Sequence, residues 1–188
     1  MLSTVRKTVL AGLVLACMGT AANAADLDPA PAYSPGSWYV RGDLGVAFSD
    51  ADNQPNSEEA FAAGVGIGYR FTEMFRADIT FDGAFDYGFG SGVDSYGILA
   101  NAYVDLPLNW IVTPYVGAGI GWGEVDGNGV TDDGVSFAAM AGFSHDLSHN
   151  LALDIGYKMR YTDLSASKTG GVSHWVDHMV RAGLRYSF

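Results

Sequence analysis

The sequence predicts an all-β fold: eight antiparallel strands in up-and-down order, closed into a barrel that spans a membrane. Three observations predict it. Apolar and polar residues alternate with a period of two from Trp38 onward, which gives a strand two unlike faces. The alternating stretches are near the roughly 9 to 11 residues that a tilted strand needs to cross a bilayer. The connections between them alternate in length, long then short.

In order, the alternation predicts strands over 38–49, 60–71, 75–87, 95–105, 113–123, 135–146, 151–162 and 175–188. Connections rich in Gly, Asp, Asn and Ser follow the odd-numbered strands, at 50–59, 88–94, 124–134 and 163–174. Shorter ones follow the even-numbered strands, at Thr72–Met74, Leu106–Val112 and Leu147–Asn150. Long loops at one end and short turns at the other are the pattern of outer-membrane barrels, with both termini and the short turns in the periplasm. An even strand count lets the first and last strands pair and close. The final segment alternates without a break: Val180, Ala182, Leu184, Tyr186 and Phe188 on one face, Met179, Arg181, Gly183, Arg185 and Ser187 on the other.

The two faces differ throughout. One holds Trp38, Val40, Leu44, Val65, Ile67, Ile79, Phe81, Val116, Ile120, Trp122, Ile155 and Tyr157, and no charge. The other mixes both signs of charge with glycine, as in Gly64, Gly66 and Gly68 or Gly117, Gly119 and Gly121. A soluble lipocalin-like barrel would alternate the same way inside out. Glycine between bulky charged neighbours suits a crowded interior, whereas a water-facing surface favours Lys, Glu and Thr. Aromatics also gather at both strand ends: Trp38, Phe71, Phe75, Tyr186 and Phe188 at one level, Phe48, Phe61, Phe85, Tyr96, Trp122 and Tyr161 at the other. These form two interfacial girdles, so the apolar face is assigned to lipid and the charges to the lumen.

An eight-stranded barrel is wide enough only for its own side chains. Arg41, Arg70, Arg76, Lys158, Arg160, Arg181 and Arg185 are therefore expected to pair with Asp43, Asp78, Asp82, Asp105, Asp154 and Asp177, because an unpaired charge there would lose its hydration. This favours a plugged lumen, with a narrow or gated porin-like channel as the alternative. Which Arg meets which Asp is not legible in the sequence.

The N-terminal region fits an export signal. Arg6 and Lys7 precede an apolar run from Val9 to Met18, and Ala22-Asn23-Ala24 fits a cleavage site. Residues 1–24 are read as a removed signal peptide, 25–37 as a proline-interrupted periplasmic lead-in and 38–188 as the barrel. Val14-Leu15-Ala16-Cys17 offers a weaker, lipoprotein-like alternative. The net charge of −11 becomes two units more negative once Arg6 and Lys7 leave, and the only cysteine, Cys17, leaves with them. So acidic a chain is a poor nucleic-acid binder. No cofactor is expected.

Ala24-Ala-Asp-Leu27, Ser37-Trp-Tyr-Val-Arg-Gly-Asp-Leu-Gly45, Thr113-Pro-Tyr-Val-Gly-Ala-Gly-Ile-Gly121 and Leu151-Ala-Leu-Asp-Ile-Gly-Tyr-Lys-Met-Arg-Tyr-Thr-Asp-Leu164, with the terminal Phe188, together resemble the opacity-like, OmpA-like outer-membrane β-barrel proteins of alphaproteobacteria. The resemblance spans essentially the whole chain after the signal. It implies a porin-family surface protein with a role in envelope integrity and in host or matrix contact through loops 50–59, 88–94, 124–134 and 163–174. It implies lipid and lipopolysaccharide as surroundings, and a C-terminal signal, Leu184, Tyr186 and Phe188, read by the barrel assembly machinery. It implies no enzyme activity, and no peptidoglycan-binding domain is expected after the barrel.

Two other chemistries were weighed. Some small outer-membrane barrels hydrolyse lipids, and Ser173, His174, Asp177 and His178, or His145 and His149, have the residue types of a nucleophile, base and orienting group. Rim and turn histidines are the favoured reading, and no catalytic residues are assigned. Glu124, Asp126, Asn128, Asp132 and Asp133 cluster with glycine like a divalent-cation loop, but without EF-hand spacing. Ordinary solvated turn chemistry is favoured there, and no metal site is assigned.

Overall fold

The computed structural model describes residues 36–50, 58–87, 93–127, 130–164 and 174–188. The signal and nearly all of the lead-in lie outside the described residues. Eight strands, β1 (Ser37–Asp50), β2 (Glu58–Arg70), β3 (Phe75–Tyr87), β4 (Val93–Asp105), β5 (Thr113–Gly127), β6 (Val130–Asp146), β7 (Leu151–Asp163) and β8 (His174–Ser187), form one closed antiparallel barrel in sequence order. β1 closes the barrel on β8 with a ladder from Tyr39↔Ser187 to Asp50↔Val176. Each strand thus has two partners, and no edge is left to pair with another chain.

The predicted strands are all present, and several boundaries move. Phe71 leaves β2 for the turn, and Glu58 and Glu59 join β2. The larger correction is at 124–134, predicted as a long loop. There β5 and β6 stay paired through Glu124↔Asp133, Val125↔Asp132 and Asp126↔Thr131 to Gly127↔Val130. The described β6–β7 ladder begins at Ser136↔Thr162, and beyond it the described ladder of β6 is the one with β5. Period-two alternation persists in it: Trp122 and Glu124 lie exposed on one side, and Asp132 is buried on the other. Asp and Gly composition suggests a turn, but the ladder and a bond from Trp122 Nε1 to Asp133 Oδ2, 3.1 Å across the pair, hold a strand.

The short-turn end is tightly knit. In turn 71–74 the Thr72 hydroxyl accepts from the Phe75 amide at 2.9 Å. Turn 106–112 is closed by the Leu106 amide on Pro114 O at 2.8 Å, and turn 147–150 by the Leu147 amide on Leu151 O at 2.8 Å. Asn109 takes a left-handed conformation, φ 55°, which asparagine tolerates better than most residues.

The outward face is continuous and uncharged over the middle of the barrel: Val40, Leu44, Val65, Ile67, Ile79, Phe81, Ile98, Val116, Ile120, Phe137, Ile155, Val180 and Leu184 are all exposed. No described helix is long and apolar enough to cross a membrane; the strands carry the apolar surface. Ile120, 55% exposed and paired with Ala100 and Phe137, lies in the middle of β5. Ile120→Arg is expected to destabilise the refolded barrel by about 2 to 4 kcal/mol in lipid vesicles, as for a midplane arginine. A near-neutral urea midpoint would mean that the two faces are interchanged.

Candidate functional site

The inward face is built by register as much as by residue type. Arg41, Asp43, Asp78, Asp82, Asp154 and Arg181 each stand opposite a glycine of a neighbouring strand: Gly66, Gly64, Gly68, Gly64, Gly183 and Gly156, respectively. Tyr103 likewise stands opposite Gly117, where an added Cβ would lie 2.6 Å from its ring. Missing side chains on one strand make room for long ones on the next, so the charges can lie across the lumen. All thirteen residues of the predicted charge set are buried there, seven basic and six acidic.

At the short-turn end, Asp105 lies between two arginines. Arg76 Nε is 3.0 Å from its Oδ1 and Arg70 Nη2 is 2.9 Å from its Oδ2. The fully buried Arg76 also lays its guanidinium 4.1 Å from the Tyr103 ring centroid and 5.0 Å from that of Tyr115, a cation–π contact that strengthens when desolvated. Beside it, Arg185 grips both oxygens of Asp154 at 3.0 Å, and the Ser144 hydroxyl donates to Asp154 Oδ1 at 2.6 Å.

In the middle layer, Arg41 holds Asp43 in a fork of 2.6 and 3.1 Å and reaches Asp78 at 3.3 Å. Asp78 also accepts from the Tyr39 hydroxyl at 3.1 Å and from Asn101 Nδ2 at 2.7 Å. Towards the long-connection end, Asp82 accepts from Lys158 and from Arg160 Nη1 at 3.1 Å. Arg160 reaches across to Asp177 at 2.5 Å, and Asp177 also takes the Ser95 hydroxyl at 3.0 Å and Trp175 Nε1 at 2.6 Å. Arg181 stands between the layers, 3.7 Å from Asp82 and 3.9 Å from Asp43. Bidentate and charge-assisted bonds of this kind are the strong ones.

Two apolar clusters fill the remaining interior. Ala47, Ala60, Ala62, Ala84 and Met179 form one, and Leu99, Tyr103, Tyr115, Ala138 and Met140 the other. A void of about 10 Å³ remains beside Arg41, Asp43, Tyr115, Asp154 and Arg181, room for about one water. Ser95, Ser144, Tyr39, Tyr115 and Trp175 are members of this interior that the sequence reading did not name. Parity could have found all five: Ser95 shares its face with Asn101, Tyr115 with Gly117, Tyr39 with Arg41, Ser144 with Gly142 and Trp175 with Asp177.

Among the described residues, Asp177 does not share a face with His174 or His178. Asp177 faces the lumen, whereas His178 lies on the outer face, bonded to the Tyr157 hydroxyl and stacked on its ring, and His174 stacks on Tyr161 at 5.5 Å. Ser173 lies outside the described residues. His145 Nδ1 is 2.9 Å from Ile111 O. The acidic segment 124–133 is the paired strand end described above, with Asn128 outside the described residues, and no group of three metal-ligating side chains occurs among the described residues. Leu184, Tyr186 and Phe188 lie exposed along β8 and just beyond it, and the Phe188 amide donates to Trp38 O at 3.0 Å.

Known proteins share this architecture. Neisserial surface protein A superposes with a TM-score of 0.68 at 24% identity, over 80% of this chain and 97% of that one. The N-terminal β-barrel domain of Pseudomonas aeruginosa OprF gives 0.53 at 14% identity, over 81% and 99%. In sequence, an uncharacterised protein of Brucella abortus is 28% identical over 90% of this chain and 93% of its own length. A Rickettsia bellii protein provisionally named an adhesin is 29% identical over 81% of this chain and 71% of its own. The model of the outer membrane protein beta-barrel domain matches residues 9–188, and with the closed eight-stranded barrel this places the chain in that family, as a protein of the bacterial outer membrane.

Proposed function

We propose that this barrel is a surface-interaction and envelope-integrity protein with a sealed lumen, acting through its outer connections and not through a pore or a catalytic centre. The observation that carries this reading is the state of the interior: charges from β1, β2, β3, β4, β7 and β8 are buried and paired there, along one strand, between neighbouring strands and, for Arg160 and Asp82, from β7 to β3. A side chain locked in such a network offers nothing to a solute, so chemistry with a partner is left to the rims. The provisional adhesin name of the Rickettsia relative points the same way.

The charge distribution supports a choice of partner. All seven described basic residues are buried in the lumen; Lys168 lies outside the described residues. The outer strand ends instead carry Glu59, Asp94, Glu124, Asp126, Asp133 and Asp163, none of them buried. Such a rim suits a cationic host or matrix surface, and beside lipopolysaccharide phosphates it requires bridging divalent cations. Leu184, Tyr186 and Phe188, all on the lipid side, are the residues we assign to recognition by the assembly machinery.

Two outcomes test the reading. In planar bilayers the purified barrel is expected to give no steady large conductance; a stable nanosiemens-scale pore would replace the plug with the channel. Bacteria displaying the chain are expected to adhere to host cells or matrix more than an empty-vector control. Glu124→Lys with Asp126→Lys should remove most of that gain, and binding equal to the control would end the surface-interaction reading.

A further inference from the structure

The periplasmic end carries an apolar turn. Turn 106–112, Leu-Pro-Leu-Asn-Trp-Ile-Val, has no charged residue, and at seven residues it is longer than the four-residue turns 71–74 and 147–150. Ile111 is 85% exposed and Trp110 66%, with Leu106 and Leu108 also exposed. A water-facing turn of this composition leaves a contiguous apolar patch uncovered, which marks a contact surface.

The direction of the turn follows from its tether. On β6 the side chains alternate, Phe143 outward, Ser144 buried inward and His145 outward. The carbonyl of Ile111 can only accept a hydrogen bond, so His145 donates to it from Nδ1 at 2.9 Å. The bond pins the returning arm of the turn to the outer side of the barrel wall, away from the lumen mouth. That side is continuous with the apolar band through Val116 on β5 and Phe143 on β6, and the same rim carries Phe71, Met74, Phe75 and Leu147, all exposed. Tryptophan with one N–H and a large apolar ring belongs at the boundary between headgroups and acyl chains.

We propose that turn 106–112 is a membrane anchor: Leu108, Trp110 and Ile111 enter the phospholipid of the periplasmic leaflet and extend the lipid-facing surface past the ends of β4 and β5. The occupant is phospholipid, because the patch is uncharged and joins a surface that lipid already covers. Held at one side of the barrel, such an anchor fixes the tilt and rotation of the barrel in the membrane.

The test uses the chain's four tryptophans. With Trp38, Trp122 and Trp175 changed to Phe, Trp110 reports alone in phosphatidylcholine vesicles whose acyl chains carry bromine either near the headgroup or near the chain end. Emission is expected to fall roughly two-fold with bromine near the headgroup and less with deep bromine, as for an interfacial indole. If the triple variant fails to fold, the difference between the parent chain and Trp110→Phe isolates the same signal. Emission untouched by either bromine position but quenched by aqueous acrylamide would overturn the anchor and leave the turn facing periplasmic water or a soluble partner.

Discussion

The structure depends on one constraint: ionised side chains placed in a tube too narrow to hydrate them must be neutralised by one another. Removing one partner of a buried pair typically costs about 3 to 5 kcal/mol, because the other charge is left without compensation. The lumen meets the constraint with forked bonds, Arg41 on Asp43 and Arg185 on Asp154, with a pair on neighbouring strands, Arg160 on Asp177, and with bonds that cross the barrel, Lys158 and Arg160 on Asp82. Crossing bonds do more than neutralise. A one-residue slip of β3 or β7 would turn Asp82 or Arg160 out into lipid, so the network also penalises wrong registers.

Glycine is the counterpart of this network. Gly64, Gly66 and Gly68 on β2 and Gly117, Gly119 and Gly121 on β5 form two walls without side chains. Tyr39, Arg41 and Asp43 lie against the first, and Leu99, Asn101 and Tyr103 against the second. Glycine weakens a strand in isolation, but a closed barrel supplies two ladders to each strand. The cost is offset by the space it opens for arginine and tyrosine.

Much of this was legible in the sequence, and the reasons for success and failure are physical. Parity is local, so the burial of Asp154, Lys158 and Arg160 and the exposure of Ile155, Tyr157 and Met159 follow from period two alone. Pairing is not local. Arg41 meets Asp43 two residues away on its own strand, whereas Lys158 meets Asp82 from β7 to β3; the choice depends on barrel diameter and strand stagger, which no single strand encodes. The outer β5–β6 hairpin was misread as a loop because Asp and Gly suggest turns, although Glu124, Val125 and Asp126 still alternate. The apolar turn 106–112 was read only for its length. Its content, Leu106, Leu108, Trp110, Ile111 and Val112 without a charge, was the available signal.

The two ends of the barrel are thereby made chemically opposite. Seven basic side chains are used inside, where they balance six aspartates, and the described outward surface keeps none of them. The remaining described carboxylates gather mostly at the outer end, while the inner end shows Phe71, Phe75, Trp110, Ile111 and Phe188 beside Glu73 and Asp146. On the proposed function, an acidic outer rim would repel a phosphate layer unless cations intervened, while the proposed anchor holds the apolar inner rim in phospholipid. These two forces would act along the same axis: one would resist sinking of the outer connections into lipopolysaccharide, and the other withdrawal of the turns into the periplasm. The vertical position of the barrel would then be set by the asymmetry of its rims, with the uncharged band between them only limiting its range.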